Sequence, residues 1–216
     1  MIGIGYRNDE FDMFGIDRRT RGQLVEDRVR LLRRLWTGDS AEVDGRTVRV
    51  RPLPFTPGGP LLAYGGGTLA AAKRAGRLGL YFMANSADIS LESAYREEAA
   101  RAGVRPLGCR FMDPSLPLTV FVAEDPDKAW AQIGDYLLLD AVGYAGWNSG
   151  SSSPNVSNAT TVEQLRAERG AYQILTPDEA AAQIAGGNPL ALQPLVGGIP
   201  PEIAWPYLEC AAALGQ

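Results

Sequence analysis

The sequence predicts an α/β fold, a mostly parallel sheet covered by helices and built from about five βα units. Three observations predict it. Short apolar runs at 61–64 (LLAY), 80–84 (LYFMA) and 116–123 (LPLTVFVA) have the length of strands but not the strict alternation of a half-exposed sheet. Stretches of helical periodicity with recognisable start and stop residues separate these runs. The chain has 216 residues, 45% hydrophobic and 21% charged, which suits one domain, 1–216, with a sizeable core.

In chain order, 2–5 (IGIG) is expected as the first strand, its glycines leaving one face open to close backbone approach. A loop follows at 6–17. The stretch 18–36 places Leu24, Val25, Val29, Leu32, Leu35 and Trp36 at helical spacing, with its arginines on a solvated face. Residues 42–48 read as a hairpin turning at Asp44-Gly45. A proline-rich connector, 52–60, leads to the strand at 61–64. After a helix and a second strand at 80–84, a helix at 90–103 is capped by Ser90 and turns Ala94, Tyr95 and Ala99 inward. The strand at 118–123 is followed by Asp125-Pro126-Asp127, which opens a long helix to about Tyr144. Trp130, Ile133 and Leu137 face inward on it, and Asp135 and Asp140 are expected as surface or capping charges. Residues 148–161 (NSGSSSPNVSNATT) have the composition of a mobile surface loop, anchored or lined by Tyr144 and Trp147. A short helix at 162–169, a helix start at Thr176-Pro177, a last strand at 190–196 and a closing helix at 200–214 complete the chain.

Composition excludes several kinds of chemistry. Histidine is absent, so a Ser-His-Asp triad, a Cys-His pair and an HExxH zinc site are ruled out and no metal site is expected. Acid–base work falls to Asp, Glu, Tyr, Lys or a bound cofactor. The net charge of −4 gives no reason to expect nucleic acid or an anionic membrane as partner. Cys109 and Cys210 form no disulfide framework, which makes a reducing cytoplasm the expected compartment. No apolar run approaches the ~20 residues of a membrane span.

The most informative stretch is 60–79 (PLLAYGGGTLAAAKRAGRLG). An apolar strand runs into Gly65, Gly66 and Gly67, then Thr68, then a helix that Thr68 caps and Gly79 ends. Without Cβ atoms the glycines let backbone N–H groups lie close to a ligand. The helix start aims its free N–H groups and positive dipole end at the same spot. The combination makes an anion site, for which phosphate is the usual occupant. It is neither the GxGxxG fingerprint nor a P-loop. The same residues also fit a tight βα turn that binds nothing.

Several stretches together resemble one family, the luciferase-like monooxygenases, TIM-barrel enzymes that use reduced flavin or the deazaflavin F420. These are GIGYRNDEFDMFG at 3–15, RGQLVEDRVRLLRRLWTG at 21–38, GRTVRVRPLP at 45–54, YGGGTLAAAKRAGRLG at 64–79, TPDEAAAQI at 176–184 and PLVGGIPPEIAW at 194–205. The resemblance implies that 3–15 is the family's fourth barrel strand with its loop, and 60–79 the fifth strand with the start of its helix. It implies cofactor contacts at Gly65, Gly66, Gly67 and Thr68, and more loosely at Gly5 and Tyr6. Ile4 stands where bacterial luciferases place a phosphate-holding arginine. The implied cofactor is reduced FMN or coenzyme F420, and the implied substrate a small organic molecule. A complete (β/α)₈ barrel takes ~250 residues. The first three strands of the family pattern are missing here, so the expected fold is a partial TIM (β/α) barrel, the C-terminal part, of about five βα units. A homodimer or a completing chain is the expected partner, and a phosphate-binding remnant without turnover is the alternative. No catalytic residue is assigned.

Overall fold

Helix caps in the sequence fix most of the element boundaries of the computed structural model, which describes residues 1–148, 153 and 155–215. The chain divides into two units, Met1–Met112 and Asp113–Gln216. Both are α/β, and the sheets are mostly parallel.

In the first unit, α1 (Asn8–Met13) stands where a loop was expected, and α2 (Arg21–Trp36) buries Val25, Glu26, Val29 and Leu35. The hairpin β1 (Ala41–Val43) and β2 (Arg46–Val48) turns at Asp44 and Gly45, both at positive φ, as an Asp-Gly turn requires. The parallel sheet then forms from β3 (Ala63–Gly66), β4 (Tyr81–Ala84) and β5 (Cys109–Phe111), in that order. The expected strand at 2–5 is reduced to a parallel bridge at Ile2. Its N–H donates to the Ala63 carbonyl at 2.7 Å, and its carbonyl accepts from Gly65 N–H at 2.8 Å. Gly5, at φ +73, turns the chain away from the sheet. β3 begins two residues later than expected because pairing with β4 starts at Ala63, leaving Leu61 exposed. β5 was not foreseen: three residues are too few to show a pattern.

Helices α3 (Leu69–Arg77) and α4 (Leu91–Arg101) cover one face of this sheet. Tyr64, Phe82 and Ala84 pack there against Ala71, Ala72, Ala75, Leu91 and Tyr95. A Cβ on Gly76 would lie 2.2 Å from the Tyr95 carbonyl oxygen, so only glycine lets the two helices approach this closely. Ser90 does not cap α4 with its side chain; instead its N–H donates to Asp88 Oδ1 at 3.0 Å. On the other face Ala63, Gly65 and Tyr81 are only half-buried and Met83 is 38% exposed.

The second unit pairs β6 (Thr119–Val122) with β7 (Tyr172–Leu175) in parallel, and Leu192 bridges to Val120. Every residue of β6 is buried, as its unalternating sequence predicts. Phe121 packs with α5 (Pro126–Trp147) and α6 (Val162–Glu168), while Val120, Val122 and Leu175 meet α7 (Pro177–Ala185) and α8 (Pro201–Ala213). Trp130, Ile133 and Leu137 point inward as expected. Asp140 is no surface charge: it accepts from the hydroxyl of the buried Tyr172 at 2.6 Å. The strand expected at 190–196 shrinks to the Leu192 bridge. Pro194 cannot donate to a ladder, and a 3₁₀ turn, Val196–Gly198, follows at once. β7, four residues between two helices, was missed. Of the loop expected at 148–161, positions 149–152 and 154 lie outside the described residues. Ser157 and Ala159 are buried, and the Ser157 hydroxyl donates to Glu168 at 2.6 Å, so this part is packed rather than a surface loop.

Candidate functional site

The glycine turn lies at the C-terminal end of β3. Gly65 and Gly66 are the last strand residues, Gly67 makes the turn and Thr68 caps α3. Thr68 has extended backbone (φ −121°, ψ 159°), and its Oγ accepts from Ala71 N–H at 3.2 Å. Its carbonyl accepts the first helical bond, from Ala72 N–H, at 3.0 Å. The far end of α3 closes on Gly79 at φ +57, with Leu80 N–H bonding Ala75 O and Gly79 N–H bonding Gly76 O, both at 2.9 Å. Arg33 adds a bond to the Leu78 carbonyl at 2.7 Å. The amides of Leu69 and Ala70, in the first helical turn, have no acceptor within the helix. Gly67, Thr68, Leu69 and Ala70 are all exposed.

The glycines supply space rather than unusual backbone: none of the three has positive φ. A Cβ on Gly66 would stand 2.7 Å from the Ala71 Cβ, and one on Gly67 2.5 Å from the Asn85 carbonyl oxygen. Their close approach is therefore, first, to the chain itself. It seats α3 against β3 and brings the turn against Asn85 and Ser86, the loop after β4. That loop is held by bonds from Asp88 N–H to Ser86 Oγ (3.1 Å) and from Met112 N–H to the Ser86 carbonyl (3.2 Å). Two consecutive βα turns thus meet at one end of the sheet. Sequence reasoning missed Asn85 and Ser86; the polar run NSAD directly after a buried strand was the available signal. Hydrogen bonds from Ser90 hold the neighbouring Asp88 carboxyl below its ordinary range, so it stays ionised.

Gly5 and Tyr6 follow the Ile2 bridge to β3. A Cβ on Gly5 would lie 3.0 Å from the Phe11 ring, and its carbonyl accepts from Arg21 at 2.9 Å. Tyr6 is 43% exposed. Gly3, Gly5, Phe11, Phe14 and Arg21 are among the residues lining a pocket of about 320 Å³. In the second unit a larger cavity, about 710 Å³, is bordered by Glu124, Asp127, Trp130, Arg166, Tyr172 and Glu179 among others. Burial, with Asp140 beside it, drives the Tyr172 hydroxyl well above the usual phenol range, so it acts as a donor. Neither cavity includes the glycine turn. Among the described residues no group of three or more His, Cys, Asp or Glu is placed to hold a metal ion, and no helix is long and apolar enough to cross a membrane.

A model of the luciferase-like monooxygenase family matches residues 1–188. The chain belongs to that family. Among curated proteins none matches it. The crystal structure of the monooxygenase RslO1 from Streptomyces bottropensis superposes with a TM-score of 0.65 at 23% identity, over 98% of this chain and 65% of that one. An F420-dependent secondary alcohol dehydrogenase, solved with an F420–acetone adduct, gives a TM-score of 0.50 at 18% identity, over 85% of this chain and 58% of that one. These likenesses concern the fold. The luciferase-like chain described here therefore spans less than two thirds of the length of either structure.

Proposed function

We propose that this chain is the cofactor-phosphate-binding part of a luciferase-like oxidoreductase or monooxygenase that uses reduced FMN or coenzyme F420. In this reading 1–216 is a single domain, the C-terminal part of a β/α barrel, and the protein is cytoplasmic. The observation that carries it is the exposed, capped start of α3 at the end of β3. The Leu69 and Ala70 amides and the Thr68 hydroxyl hydrogen remain to donate there, and the family match runs through this segment. The donors fit a phosphate: they are neutral and converge on an exposed point, and the helix dipole favours an anion by ~0.3–1 kcal/mol. Gly65, Gly66 and Gly67 keep the strand and turn slim enough for this approach; Gly5 and Tyr6 are the looser contacts. The cofactor supplies hydride or oxygen chemistry; the chain's residues bind and orient it.

Turnover on a small organic substrate is proposed to need βα segments beyond these 216 residues, and a completing chain or a homodimer is the proposed partner. Support comes from the 65% and 58% coverage of the two solved structures. One observation favours the second reading, a phosphate-binding remnant without turnover. In the loop beside the turn Asp88 is held ionised, and the chain has no histidine to serve there as a general acid near neutral pH. Titrating the chain with FMN, riboflavin and F420 tests the common core of both readings. Submillimolar binding of FMN or F420, with FMN preferred to riboflavin, is expected; no binding of either phosphorylated cofactor overturns both.

A further inference from the structure

We infer that Arg110 is the cation that faces the ring system of the bound cofactor and favours its reduced, anionic form. This deepens the cofactor reading and rests on it. The register across the first unit's sheet pairs Gly65 with Met83 and Met83 with Arg110, one row across β3, β4 and β5. Adjacent strands lie ~4.8 Å apart, so Arg110 stands roughly 10 Å from Gly65, on the same side of the sheet. The side follows from alternation. Tyr64, Phe82, Ala84 and Phe111 pack with α3 and α4, so Gly65, Met83 and Arg110 face the other way, onto the incompletely covered face. There Ala63 and Gly65 add almost no side chain of their own, and the exposed Met1 side chain lies over Gly65, with its sulfur 3.4 Å from where a Cβ would stand. The row lies one residue before the strand ends, next to the turn proposed to hold the phosphate.

Arg110 is exposed, and among the described residues no hydrogen bond or ion pair involves its side chain. Three arginines packed between α2 and α3 are committed elsewhere. Arg74 and Arg77 bind Glu26, and Arg33 binds carbonyls at the end of α3. The oxidised flavin ring is neutral, whereas the reduced flavin ring carries negative charge over its pyrimidine end near neutral pH. A guanidinium on the open face therefore distinguishes the two states, while the neutral donor set at Thr68, Leu69 and Ala70 serves the phosphate in both. This assigns to one side chain the preference for reduced flavin that a flavin-dependent monooxygenase needs.

The test is an anaerobic titration of the 216-residue chain and its Arg110→Gln variant with oxidised and with chemically reduced FMN and riboflavin, with F420 titrated alongside for binding alone. Thermal melts check that the exposed substitution leaves the fold intact. The expected result is unchanged affinity for the oxidised flavins and a loss of roughly tenfold for the reduced flavins, with riboflavin affected as much as FMN and Arg110→Lys recovering most of the loss. Equal losses for both redox states, a loss confined to FMN, or no loss overturns the assignment. Failure of the unsubstituted chain to bind any of the ligands is a different outcome: it removes the cofactor reading itself, and this inference with it.

Discussion

Glu26 is a buried carboxylate on a helix that the sequence presents as a solvated, arginine-rich face. Its side chain is 8% exposed and accepts from Arg77 at 2.7 Å, Arg30 at 3.1 Å and Arg74 at 3.2 Å. Burial by itself raises its pKa, but the Arg77 hydrogen bond and the charges of Arg77, Arg74 and Arg30 outweigh this and bring it below the ordinary glutamate value of 4.5. A folded-state value below the unfolded one contributes stability that is complete above pH 4.5 and is lost as the pH falls through the depressed value. Glu98, bound by Arg77 and Arg101, acts in the same direction. Glu26→Gln is expected to lower unfolding stability at pH 7 by about 3 kcal/mol, because it leaves the partly buried Arg74 guanidinium without its anion and Arg77 with Glu98 alone. It is also expected to flatten the acid limb of melts recorded between pH 3 and 7; an unchanged acid limb would place the pH dependence elsewhere. This network was not legible in the sequence. Helical spacing sorts residues by hydrophobicity, and Glu26 finds its partners 48 and 51 positions away. Gly67 belongs to the same scale. Its Cβ position meets a backbone carbonyl that cannot swing aside, so Gly67→Ala should cost about 1–3 kcal/mol in a denaturant melt. A neutral result would mean that the turn has room to spare.

At the scale of elements, boundaries marked by side-chain chemistry were readable and those set by pairing were not. Thr68, Asp125, Thr161 and Thr176 each accept an amide of the first turn. Thr176 and Glu179 complete a reciprocal capping box, with Thr176 N–H donating to Glu179 at 2.9 Å and Glu179 N–H to Thr176 Oγ at 3.2 Å. Thr176→Ala should therefore cost about 1 kcal/mol, read as a lower melting temperature, whereas Ser90→Ala, whose side chain makes no such cap, should cost markedly less. Equal costs would contradict the assignment of caps. Strands fared worse. The three-residue β5 and four-residue β7 carry too little pattern to be seen, and the runs at 2–5 and 190–196, though apolar, keep only one bridge each. What limits those two is backbone chemistry at Gly5, Pro194 and Gly197, which composition does not reveal. Of the candidate site, Gly65, Gly66, Gly67 and Thr68 were found because strand, glycines and cap are contiguous. Asn85, Ser86 and Arg110 were not, because β4 and β5 bring them near only through the register of the sheet.

At the scale of the whole molecule, the chain is a luciferase-like α/β protein that spans 65% and 58% of two solved structures of similar fold. On the proposed reading it binds cofactor but completes no catalytic pocket alone. The purified chain is expected to turn over reduced flavin or F420 far more slowly than the ~1 s⁻¹ at which ordinary enzymes begin. Sustained coupled product formation at that rate by this chain alone would contradict the need for further segments. The central claim, that the start of α3 holds the cofactor phosphate, is tested most directly by Leu69→Pro. Proline is favoured at the first position of a helix, the preceding Thr68 already has the extended backbone that proline demands, and the Leu69 side chain is 53% exposed. The substitution thus removes one amide donor while keeping the helix. The measurement is the ratio of riboflavin to FMN dissociation constants in the unsubstituted and substituted chains at low ionic strength. Loss of one charge-assisted hydrogen bond should reduce that ratio by roughly tenfold, through weaker FMN binding with riboflavin binding unchanged; an unaltered ratio would mean that the phosphate is held elsewhere and that this turn serves only to join β3 to α3.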